Sequence, residues 1–150
     1  MVTEEEIKNK QFKDTGYCDK PLYQVTAVEM AKFRREPELS YMIADRWILL
    51  QNEYNISVTK AYEKIYDLCR ISETSLKKVI NGSQKVSRHF LYKFTVGLKM
   101  DLEEADKYFA LCGGKLSSDN MEDYICISAL RDKDDIDLFA EQFEHFTEKK

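Results

Sequence analysis

Apolar side chains recur along this chain at intervals of three and four residues rather than two, the spacing of helices that bury one face. Ile43, Trp47, Leu50 and Tyr54 follow one another at 4, 3 and 4 residues, which predicts a helix over 39–54 with all four side chains in a core. A second helix opens near Thr59 and runs to Cys69, presenting Ala61, Ile65, Leu68 and Cys69. Ile71-Ser72 breaks the pattern, and the Ser72 hydroxyl suits the cap of a shorter helix over 73–80. Asn81-Gly82 ends that helix, because glycine accepts the positive φ with which helices commonly finish. Ser87 caps a helix carrying Phe90, Leu91, Phe94 and Leu98, and Asp101-Leu102-Glu103-Glu104 begins another that stops at Gly113-Gly114. Beyond these glycines, Asn120 opens a helix through Arg131 that buries Tyr124, Ile125 and Ala129. A last helix sets Ile136, Phe139, Phe143 and Phe146 on one stripe.

The N-terminal part is plainer. The first 20 or so residues, polar and mixed in charge, read as an arm or loop unless a partner orders them. Thr26-Ala27-Val28-Glu29 has the form of a capping box, and a short helix over 27–35 follows, halted by Pro37. With 150 residues, 43% apolar and 12% aromatic, the chain can bury one core, while five Gly and two Pro are too few for a many-stranded sandwich. The expected class is all-α. The expected division is an arm and short helix over 1–38, a central domain over 39–114, and an acidic helical extension over 115–150, packed on that domain or on a dimer partner. No apolar run approaches the roughly 20 residues that span a bilayer, and the acidic Thr3-Glu4-Glu5-Glu6 is unlike a signal peptide, so a cytoplasmic protein is expected.

A net charge of −4 conceals an uneven distribution. Residues 55–100 carry nine basic and three acidic groups, whereas residues 101–150 carry six and fourteen. A basic middle between acidic flanks suits an anionic partner, since phosphate contacts need local rather than overall positive charge. Ordinary solvated surface is the other reading of the same charges. Cys18, Cys69, Cys112 and Cys126 are scattered without a Cys-x-x-Cys pair, and only His89 and His145 accompany them, so reduced thiols packed as small apolar groups are expected and a metal site is not. The aspartates around Asp132, Asp134 and Asp135 fail as a calcium loop, because Asp137 stands where glycine is required and Phe143 where a bidentate glutamate belongs; they serve better as helix caps. Nucleophile elbows, phosphate-binding glycine loops and His-Glu-x-x-His are absent, and Cys69 and His89 lack a third group to orient them. The chain reads as a non-enzyme without a cofactor.

The run Ile71-Ser72-Glu73-Thr74-Ser75-Leu76-Lys77-Lys78-Val79-Ile80-Asn81-Gly82, continued through Phe90, Phe94, Leu98 and Leu102, resembles the Cro/repressor-like (XRE-type) helix-turn-helix domain. The resemblance covers about residues 43 to 112. It implies five packed helices, double-stranded DNA as partner, and the 73–80 helix as the element that enters the major groove. Position by position, it nominates Glu73, Thr74 and Lys78, with Lys77 beside them, for base edges. Lysine donates to guanine, threonine packs or bonds to thymine, and glutamate accepts from cytosine. Lys60, Lys64, Lys85 and Arg88 are the implied phosphate contacts, with Ser72 and Ser75 as hydroxyl donors. Two positions depart from the pattern: Tyr66 replaces a small residue, and Arg70 replaces the glycine of the turn. Either the two helices splay or Tyr66 turns aside. The implied function is a sequence-specific transcriptional regulator, a repressor acting as a homodimer on paired half-sites. The aromatic stripe of the last helix or the N-terminal segment would supply the dimer contact. The alternative is a protein-interaction module that keeps the scaffold and binds a protein through its acidic C-terminal half.

Overall fold

Serine, aspartate and asparagine side chains set the starts of most helices. In a computed structural model that describes residues 1–12 and 36–147, they are α1 (Glu4–Asn9), α2 (Glu36–Tyr54), α3 (Val58–Cys69), α4 (Glu73–Ile80), α5 (Arg88–Gly97), α6 (Leu102–Phe109), α7 (Met121–Asp132) and α8 (Ile136–Thr147), with no strand among the described residues. The expected capping box at Thr26, the helix over 27–35 and Cys18 lie outside the described residues. Ser57, Ser72, Ser87, Asp101 and Asn120 each accept a hydrogen bond from the amide three residues on, satisfying one of the orphan donors of a helix start. Helix α2 begins at Glu36, three residues before the expected 39, with Pro37 in the first turn where a missing amide costs no bond.

The core is one continuous cluster. Leu39, Ile43, Trp47 and Leu50 of α2 meet Ala61, Ile65 and Cys69 of α3 and Leu76 and Val79 of α4. Tyr54, expected in that core, is half exposed at the end of α2, where its ring instead takes the Lys64 ammonium at 4.3 Å. Helix α5 is central. Arg88, Phe90, Leu91, Tyr92, Phe94, Thr95, Val96 and Gly97 are all buried, and the helix packs against α3, α6, α7 and α8.

The C-terminal pair closes on the same core. Ile125, Cys126, Ala129 and Leu130 of α7 and Ile136 and Phe139 of α8 are buried. Phe143 is half-buried, its ring 5.7 Å from Tyr92 and 5.2 Å from His89. The aromatic stripe is therefore covered largely by the chain itself. Tyr124, expected in the core, is half-buried beneath the N-terminal residues, where Phe12 meets its ring edge-on at 5.7 Å and its hydroxyl donates to Glu6. Residues 1–12, expected as an arm, are thus ordered by the chain's own C-terminal half. Val2 is buried and exchanges two hydrogen bonds with the Gln142 side chain, both 3.0 Å.

Candidate nucleic-acid interface

Burial of Leu76 and Val79 against α2 and α3 rotates the opposite side of α4 to solvent. At 3.6 residues per turn that outward side carries Thr74, Lys77 and Lys78, flanked by Glu73, and all four are exposed. Ser75 is half-buried, its hydroxyl accepting from Ser72 at 3.0 Å, so it stands off the outward stripe. Glu73 and Lys77 form an ion pair one turn apart at 2.8 Å, which raises the Lys77 pKa. The Lys77 ammonium also lies 5.3 Å from the Tyr62 ring, which itself stacks on Trp47. Lys60 pairs with Glu63 at 3.3 Å. Lys64 is half-buried against Tyr54, and Lys78 and Lys85 are exposed on α4 and on the loop after it.

Arg88 is a correction. Nominated for phosphate, it is 6% exposed. Its Nη2 donates to both Asp123 carboxylate oxygens at 3.0 and 2.8 Å, and its Nη1 donates to the Cys112 and Gly114 carbonyls. Burial alone would depress its pKa, but the hydrogen bond and charge of Asp123 outweigh that and raise it. Asp123, fully buried, also accepts from the Tyr92 hydroxyl and the Ser117 amide. This group cannot reach DNA; it fastens α5 to α7 and to the turn after α6.

At the turn between α3 and α4 both departures from the helix-turn-helix pattern are accommodated locally. Tyr66 turns aside and is 50% exposed. Arg70 adopts the left-handed conformation that glycine would have supplied, at φ 55° and ψ 35°, while its amide closes the end of α3 on the Tyr66 carbonyl. Its side chain lies over the Tyr66 ring and makes two hydrogen bonds to Asp137 in the first turn of α8, 3.1 Å each. That pairing raises the Arg70 pKa and lowers that of Asp137. The sequence marked Arg70 as an arginine at a glycine position but gave no sign of its pairing with Asp137, 67 residues away.

Tyr62, Glu63, Tyr66, Asp67, Ser72 and Glu73 line an open cleft of about 410 Å³ between α3 and the start of α4. The described residues hold no cluster of three metal-ligating side chains and no helix long and apolar enough to cross a membrane. Burial pushes the Cys69 thiol up to about 12 and raises Cys126 as well, so neither is a nucleophile near neutral pH. Comparison with protein-family models, with curated proteins and with solved structures finds no match for this chain.

Proposed function

We propose that the chain is a sequence-specific DNA-binding regulator that places α4 in the major groove. On this reading α2 to α6 are the five helices of a Cro/repressor-like domain, and α3 and α4 are its bihelical unit. The observation that carries it is the outward stripe of α4, where Thr74, Lys77 and Lys78 stand exposed. Threonine and lysine at those places supply the donors and the methyl that base edges accept. Lys60, Lys64 and Lys85 are the backbone contacts, and Arg88 is withdrawn from that set. A two-fold dimer on paired half-sites belongs to the reading. With Phe139 and Phe143 engaged in their own core, that contact is made elsewhere than on the aromatic stripe.

The test is titration of a labelled random duplex at about 50 and 200 mM salt. Three lysine–phosphate contacts in each protomer predict an affinity loss of about 40-fold per protomer between the two, because each contact releases a condensed counterion. Lys77→Glu/Lys78→Glu should abolish binding; unchanged binding removes α4 from the interface. An electrophoretic shift on DNA upstream of the chain's own gene then seeks the operator. A second reading, a module that binds a protein through its acidic C-terminal half, is favoured to the extent that Glu63, Asp137 and Glu73 already offset the charges of Lys60, Arg70 and Lys77 on the face proposed for DNA. Absence of salt-dependent binding to any duplex would favour it.

A further inference from the structure

Lys60 and Lys77 are paired by acids on their own helices, one turn away. Arg70 differs. Its carboxylate comes from Asp137, 67 residues on, in the acidic C-terminal half. The Arg70 Nε and Nη2 meet the two Asp137 oxygens side by side at 3.1 Å, the two-pronged geometry in which a guanidinium holds either a carboxylate or a phosphate. Arg70 stands two residues before the Ser72 cap of α4, at the end of the helix proposed to enter the groove.

We propose that Asp137 is a built-in phosphate mimic. It fills the fork of Arg70 in the free protein and is displaced by a DNA phosphate, so Arg70 is a backbone contact and α8 a brake on binding. This rests on the DNA-binding reading and names its regulation. Both partners are well exposed, 42% and 68%, and an ion pair so wetted contributes little, so exchanging one anion for another costs little. The charge of Asp137 remains close to the incoming phosphate. It lowers affinity for every duplex alike, leaving discrimination to the base contacts of α4. An acidic half that would otherwise be a passive counterweight thereby suppresses non-specific binding at one identifiable residue pair.

The experiment is the same salt titration on full-length Asp137→Asn. Because a phosphate displaces Asp137 in the parent as well, the slope of log K against log salt should stay near that of the parent, while affinity at about 50 mM salt rises roughly two- to fivefold for every duplex alike, the worth of one exposed ion pair. Asp135→Asn makes the same charge change two residues away. Its side chain caps the amide of Leu138, a role asparagine also fills, and it should leave the affinity near that of the parent. In an Arg70→Gln background the Asp137 exchange should lose most of its effect on affinity. If the parent binds DNA with steep salt dependence but Asp137→Asn matches Asp135→Asn, the brake is refuted and the regulator stands. If neither the parent nor Asp137→Asn binds DNA in a salt-dependent way, both are refuted together.

Discussion

Arg88 illustrates how far a single residue can be read from its neighbours in sequence. It follows a capping serine in the basic part of the chain, the local setting of a phosphate ligand, yet its anion is Asp123, 35 residues away. Nothing short-range announces that pairing, because a buried ion pair is selected by the fold rather than by the helix in which either partner sits. Four hydrogen bonds from one guanidinium offset the cost of dehydrating it, and removing either charge leaves the other stranded. Arg88→Ala should therefore lower the unfolding free energy by about 3–5 kcal/mol, read from urea denaturation at neutral pH. Arg88→Lys should recover only part of it, since an ammonium cannot reach two carbonyls and a carboxylate in one plane. A fully stable Arg88→Ala that had lost DNA affinity would return Arg88 to the phosphate contacts.

Helices are where the sequence was most legible. The 73–80 helix is observed with the bounds expected from Ser72 and Asn81-Gly82, since capping hydroxyls and a positive-φ glycine act within a few residues. The starts of α5, α6, α7 and α8 follow from equally local signals. What no local signal gives is how closely two helices cross. At Gly97 the α5 backbone lies against the end of α3, and a β-carbon there would come within 2.7 Å of the Cys69 α-carbon and 2.5 Å of its sulfur, and would also strike the Leu68 carbonyl. Alanine is the better helix former by about 1 kcal/mol, but backbone atoms cannot move aside as a flexible side chain would. Gly97→Ala should thus be destabilising by about 1–3 kcal/mol net, seen as a lower urea midpoint with an unchanged slope. A stabilised variant would mean that α3 and α5 lie farther apart than described.

At the scale of the whole molecule, the division expected after Gly114 separates charge and composition but not the core. Helix α5 is covered by α3 and α6 on one side of that boundary and by α7 and α8 on the other, and the Arg88–Asp123 pair straddles it. Phe139 lies buried against Tyr92, and Val2 at the other end of the chain is hydrogen-bonded to Gln142 of α8. A chain ending at Gly114 would keep the proposed DNA-reading helices in sequence yet lose the counter-charge of Arg88 and the side chains that keep water from Tyr92. Residues 1–114 should then hold much of their helical far-ultraviolet signal while losing near-ultraviolet dichroism and cooperative urea unfolding and binding a hydrophobic dye, the signature of collapse without fixed packing. A sharp two-state transition from that fragment would make the boundary a true domain edge, and Arg88 would then be exposed and free to meet phosphate. If the fragment is molten as expected, the acidic half is a structural part of the basic one, and a brake such as Asp137 comes with the fold instead of being appended to it.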